Sequence, residues 1–284
     1  MHKYFVGIVA GLSALWASLC PLSAQTSAGP YPTKRVALSY QSADREIPAL
    51  LIAPTTKGTY PVVLYVHGRW GLNESTAAYL ETIAERGVVI LAPDYHFARG
   101  TPALAPFHDP EAQADVEAAV PFLTTIAGQY TTLDKSRFGV LGQDHGAYFS
   151  LLLGAGTQDK FGALIGIYPL LQDPNLNKIQ HLYAFSRAIE DLQIPTLLLI
   201  GKNDREMRRI QVERVASRLE ALKRDVRLVE YAGAQRCFDW RTSQASLANA
   251  MARSDSTNQI VRQLKTVIGG EKLLVMGTHG WETL

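Results

Sequence analysis

The sequence has 284 residues, of which 47% are hydrophobic and 19% charged, a balance that supports a buried core and excludes a disordered chain, a collagen repeat or a coiled coil. With 28 Lys and Arg against 26 Asp and Glu, the formal net charge is only +2. That is too even for the clustered basic stripe that nucleic-acid binding requires, so nucleic acid is excluded as a partner.

Lys3 precedes an apolar run from Phe5 to Leu19, and Leu22-Ser23-Ala24 offers a small residue before Gln25. The run falls short of the roughly 20 residues of a spanning helix. Residues 1–24 are therefore expected to be a cleaved signal peptide that directs a secreted or periplasmic protein without a stable membrane span. Cys20 leaves with that segment and Cys237 is then the single cysteine left, so no intramolecular disulfide is expected. A lone thiol, together with seven histidines that show no H-E-x-x-H spacing, points to no metal and no cofactor.

Residues 25–34, rich in Ser, Pro and Thr, read as a flexible lead-in to a single domain over residues 35–284. Strands are expected at Val36–Tyr40, Ile47–Ile52, Val62–Val66, Val88–Leu91, Phe138–Leu141, Ala163–Ile167, Thr196–Ile200 and Val226–Glu230. Those from Val62 to Ile200 are nearly continuous apolar runs, as expected of a parallel sheet covered on both faces. Helical stripes lie between them. Leu80, Ile83 and Ala84 form one that Gly87 ends; Val116, Val120 and Leu123 form another that stops near Gly128; Val212, Val215, Leu219 and Leu222 form a third. Arg208, Arg209, Glu213, Arg214, Arg218 and Glu220 occupy the other sides of the third stripe and read as a solvated face. Alternating β and α units predict an α/β fold, a doubly wound, mostly parallel sheet with helices on both faces and its site beyond the carboxyl ends of the strands.

Within this pattern, Phe138-Gly139-Val140-Leu141 runs into Gly142-Gln143-Asp144-His145-Gly146, and Ala147–Leu153 then reads as helix. A strand, a Gly-x-Asp-x-Gly turn and a helix form the layout of a nucleophile elbow, in which flanking glycines let a strained central side chain stand above the sheet. The central residue is Asp144.

Several segments together resemble the dienelactone hydrolase family of the α/β-hydrolase fold. They are Ile47–Pro54, Pro61–Asn73 with its His67-Gly68-Arg69-Trp70-Gly71 loop, Leu91–Asp94, Asp115 with Phe122-Leu123, the elbow, Pro195–Asp204, and Tyr231–Phe238. The resemblance covers roughly residues 36 to 267. It implies a Cys or Ser nucleophile at the elbow, an acid after the strand that ends Ile200-Gly201, and a His in a Gly-Ala-x-His-x-Phe turn. Asp204 matches the acid. Asp144 stands at the nucleophile position and Arg236 at the His position. The resemblance further implies an oxyanion hole from the backbone amides of Arg69 and His145, with His67 bracing the loop, and makes Arg99 and Trp70 the substrate-binding candidates. Gly68 occupies the place where members acting on dienelactones carry Glu.

Two readings follow. In one, the protein is of hydrolase lineage but degenerate, retained for binding a small molecule or a protein. In the other, it is an active hydrolase of esters, lactones or alkyl halides that uses Asp144, as haloalkane and fluoroacetate dehalogenases and epoxide hydrolases use a carboxylate, with an unidentified base. Arg236 cannot be that base, because a guanidinium keeps its proton. His96, His108 and His279 in the tail have no role that spacing assigns. Arg236 is expected to bridge Asp144 and Asp204, or to pair with one of them.

Overall fold

A computed structural model describes residues 29–103, 109–130, 138–157, 159–172, 184–239, 246–269, 274–277 and 280–283. The expected signal peptide, His108 and His279 lie outside the described residues. All eight expected strands form: β1 (Thr33–Ser42), β2 (Arg45–Pro54), β3 (Val62–Val66), β4 (Val89–Pro93), β5 (Phe138–Gln143), β6 (Phe161–Ile167), β7 (Thr196–Gly201) and β8 (Val226–Tyr231). They make one sheet in the order β1-β2-β4-β3-β5-β6-β7-β8. β1 and β2 are antiparallel additions at one edge, and every pairing from β4 to β8 is parallel. A separate antiparallel hairpin follows, β9 (Leu274–Gly277) with β10 (Gly280–Thr283).

The helices are α1 (Glu74–Ala84), the short α2 (Tyr95–Arg99), α3 (Pro110–Tyr130), α4 (Gly146–Gly156), the one-turn α5 (Ala188–Asp191), α6 (Glu206–Ala221) and α7 (Leu247–Val267). α1 starts where Asn73 accepts the Thr76 amide at 3.0 Å, a side-chain cap that satisfies one of the orphan donors of the first turn. α3 runs two residues beyond the expected stop at Gly128, because Gly weakens a helix interior without breaking it. Period-two alternation divides the strand residues between two cores. Val62, Leu64 and Val66 pack with Val116, Leu123, Leu151 and Leu219 on one face, while Val63 and Tyr65 pack with Leu80, Ile83, Ile260 and Leu264 on the other. The sheet is thus clad by α3, α4 and α6 on one side and by α1 and α7 on the opposite side. This is the expected α/β-hydrolase architecture. No helix among the described residues is long and apolar enough to cross a membrane.

Residues 29–34 of the expected lead-in are described. β1 already begins at Thr33, and Tyr31 donates its amide to Glu85 O at 3.0 Å while its ring meets Tyr60 edge-on at 5.5 Å. Tyr31 is half-buried by these contacts while Pro30 and Pro32 stay exposed, because an aromatic ring can find a partner even where the chain forms no periodic pattern.

Parallel β3 to β8 direct their carboxyl ends to one edge of the sheet. The loops there carry His67 to Asn73, Asp94, Asp144, Tyr168, Asp204 and Arg236, so six strands converge on one place.

Candidate functional site at the carboxyl edge of the sheet

Asp144 holds φ +51°, the left-handed conformation that a β-carbon disfavours. The flanking glycines explain how the turn closes: a Cβ on Gly142 would lie 2.4 Å from Ala147 Cα, and one on Gly146 2.1 Å from Val66 O. Both backbone groups of Asp144 are anchored, its amide to Ile167 O at 3.1 Å and its carbonyl to the Leu170 amide at 2.9 Å. The strain is held from outside the turn. Gly68 also faces it, since a Cβ there would stand 2.7 Å from Asp144 Cβ. A Glu at position 68 would collide with the elbow as it is now built.

Three guanidiniums surround the Asp144 carboxylate, which is 2% exposed. Arg69 Nε and Arg236 Nη2 each donate to Oδ2 at 3.0 Å. Arg208 Nη1 forms an ion pair with Oδ1 at 2.9 Å while donating its hydrogen bond to Tyr168 O at 2.7 Å. Burial alone would raise the Asp144 pKa, but Arg208, Arg236 and Arg69 together hold it well below the usual carboxylate range. Asp204 behaves in the opposite way: burial raises its pKa, and Arg208 only partly offsets this. Its Oδ1 accepts the Arg205 amide at 2.6 Å.

Arg236 thus pairs with one acid, Asp144, and the expected bridge to Asp204 passes instead through Arg208, whose Nε lies 3.9 Å from Asp204 Oδ2. Arg208, expected on a solvated face, is instead buried: the first turn of α6 abuts the carboxyl edge of the sheet and leaves Arg208 only 7% exposed. The later part of the same charge run does stay at the surface, where Arg218 pairs with Glu190 and Arg209 with Glu213. The Arg69 side chain was also missed, since only its amide figured in the sequence argument. One signal for Arg208 was available: it follows Asp204 by four residues, a spacing that stacks side chains where a helix begins.

The other candidates separate. Arg99 is committed to α3, with Nε on Asp115 Oδ2 at 2.5 Å, Nη2 on Asp115 Oδ1 and Glu111 O at 3.0 Å each, and Nη1 on Glu111. Every guanidinium nitrogen is engaged, so Arg99 acts as a strut between α2 and α3 and does not join the Asp144 cluster. Trp70 sits half-buried in the Gly68–Gly71 turn beside Arg69. The amides of Arg69 and His145 meet no acceptor among the described residues. His67 braces the loop as expected. Its Nδ1 lies 2.9 Å from Gly68 O, which can only accept, so that nitrogen carries the proton; burial lowers the pKa to about 3. Burial likewise lowers His145, to about 4, and His96. Among the described residues no histidine hydrogen-bonds the Asp144 carboxylate, and no group of three or more His, Cys, Asp and Glu side chains could hold a metal.

Behind the elbow lies a wholly buried polar chain. Tyr65 donates to Gln143 Oε1 at 2.7 Å, Gln143 donates to Asp239 Oδ2, and Tyr168 donates to Asp239 Oδ1 at 2.7 Å. Burial pushes Asp239 up to about 6 against the hydrogen bonds that favour its ionised form. A carboxyl raised on folding adds stability that is complete below its unfolded value and is lost as pH climbs through the folded one. Two pKa units correspond to about 3 kcal/mol, so this group should weaken the fold by roughly that amount between pH 4 and 7. Asp239→Asn should flatten that slope in urea unfolding. Equal slopes in the two proteins would show that Asp239 titrates normally.

Comparison with known proteins agrees with this architecture. The family model described as "Dienelactone hydrolase family" matches residues 47–268. A chlorophyllase of Citrus unshiu is 30% identical over 148 residues, covering 50% of this chain and 43% of that protein, so less than half of the relative is matched. A Salmonella typhimurium protein provisionally named a carboxymethylenebutenolidase is 24% identical over 214 residues, covering 71% of this chain and 76% of its own. Among solved structures, a provisionally assigned dienelactone hydrolase of Klebsiella pneumoniae superposes with TM-score 0.65 at 20% identity, over 82% of this chain and 98% of its own. Carboxyl esterase 2 of Tuber melanosporum gives 0.64 at 16% identity, over 84% and 88%. These structural likenesses establish the fold. With the family model covering the sheet from β2 through α7, the chain belongs to the dienelactone hydrolase family.

Proposed function

We propose that this is a secreted or periplasmic member of the family that binds a small molecule at the elbow without turning it over. The observation that carries the reading is the Asp144 carboxylate held by Arg69, Arg208 and Arg236. Attack by a carboxylate needs an accessible lone pair, and both oxygens of the buried Asp144 carboxylate lie within 3.0 Å of a guanidinium nitrogen. Release of an alkyl-ester intermediate needs a base to activate water. Arg236, where relatives of this kind place the base, cannot accept a proton. The apolar leader and its small-residue cleavage site support export.

The left-handed turn at Asp144 and the acceptor-free amides of Arg69 and His145 favour the second reading, an active hydrolase of esters, lactones or alkyl halides. The two are separated by incubating mature protein with p-nitrophenyl esters, lactones and haloacids. Turnover should stay at background. If Asp144 does displace a halide, intact mass should reveal a stalled ester adduct. Multiple turnover that disappears in Asp144→Ala would overturn the binding reading.

A further inference from the structure

The identity of the ligand class can be argued from the charges and donors left over at the elbow, an argument that rests on the binding reading above. Among the described residues the cluster opposes three guanidiniums to two carboxylates, so one positive charge is uncompensated. Its donors are largely uncommitted. Arg69 uses only Nε and leaves both terminal nitrogens without an acceptor among the described residues, and Arg236 uses only Nη2. Arg236 Nε and Arg208 Nε are buried without an acceptor among the described residues.

Exposure shows which of these a ligand meets first. The side chains of Arg69 and Arg236 are 20% and 16% exposed, against 2% for Asp144. Incoming solute therefore encounters cationic N–H groups, while the carboxylate stays beneath them. Both arginines reach the same Asp144 oxygen, so the two groups converge on one point. Arg69 carries its own acceptor-free amide on the same turn.

We propose that the elbow binds small organic carboxylates, received by the terminal nitrogens of Arg69 together with Arg236. One negative charge brings the cluster to neutrality, whereas a dianion would reverse it. The planar fork of a guanidinium matches the planar, two-oxygen carboxylate in the way a neutral ester or amide does not. Because the arginines are partly exposed, the attraction is screened by salt and affinity falls as ionic strength rises.

The test is calorimetric titration of the mature protein with benzoate, with neutral benzamide of the same shape, and with inorganic phosphate, all at matched low ionic strength. Benzoate should bind at least about tenfold more tightly than benzamide, the discrimination expected of one charge-assisted hydrogen bond, and phosphate should bind no more tightly than benzoate. Arg69→Gln lies on a partly exposed turn and should keep its circular dichroism and a cooperative melt, at most a few degrees lower, while losing about tenfold in benzoate affinity, with benzamide unchanged. Equal binding of benzoate and benzamide, no binding of benzoate, tighter binding of phosphate, or an indifferent Arg69→Gln would each overturn the proposal. Methyl benzoate incubated with the same samples tests the non-turnover reading separately. Its hydrolysis would defeat that reading while leaving carboxylate binding, then as product binding, intact.

Discussion

Arg208→Ala should destabilise the protein by about 3–5 kcal/mol, the cost of removing one partner from a buried ionic network. Arg208 is 7% exposed, touches Asp144 Oδ1 at 2.9 Å, approaches Asp204 Oδ2 at 3.9 Å and ties α6 to Tyr168 O at 2.7 Å. Its loss leaves two buried acids facing each other with less compensation and frees a buried carbonyl. Arg69→Ala removes one hydrogen bond from an oxygen that Arg236 still holds, and should cost about 1.5 kcal/mol. Urea unfolding at pH 7 measures both. If Arg208→Ala costs no more than Arg69→Ala, Arg208 is not the keystone of the cluster. The pH dependence has a definite sign. Asp144 is held below the ordinary range, so its contribution is present above the unfolded carboxylate value and is lost as pH falls through the lower folded one. Arg208→Ala should therefore shift the acid-unfolding midpoint upward. This limb lies below pH 4, outside the window in which Asp239 acts in the opposite direction.

The second large effect is a gain of turnover. Asp144→Ser alone should leave p-nitrophenyl acetate hydrolysis at background, while Asp144→Ser with Arg236→His should exceed the single variant by about 10²–10⁴, the usual contribution of a positioned general base. The scaffold for such a triad is already in place. The elbow turn is locked by Gly142 and Gly146. The loops after β7 and β8 are pressed together, with the Asn203 amide on Ala234 O at 2.9 Å, and Asp204 Oδ2 has no hydrogen-bond partner among the described residues. Nucleophile, base and acid act as a unit, so one member without the next gains little. Full activity in Asp144→Ser alone would mean that another side chain serves as base.

The sheet and the elbow turn are legible in the amino-acid pattern alone. Strand runs such as Val62–Val66 and stripes such as Leu80, Ile83 and Ala84 are local patterns. Local patterns survive because backbone geometry repeats every two or 3.6 residues and the apolar face must be buried somewhere. The turn at Asp144 was legible for a similar reason, since Gly142 and Gly146 are small only because neighbouring backbone comes within about the reach of a methyl group. Which charges meet could not be read in that way. Arg208, Arg209 and Arg218 are equivalent as text, yet one is buried on Asp144 and the others pair at the surface, because only the docking of the first turn of α6 against the sheet edge distinguishes them. Arg99, which resemblance placed in the substrate site, is drawn instead to Asp115 of α3, 16 positions away in the chain. The Tyr65–Gln143–Asp239–Tyr168 chain joins two strands and two loops that share no sequence pattern. Long-range electrostatics depends on distances and burial that arise only when the layers close, so the tertiary structure alone decided that Asp144 lies beneath three arginines.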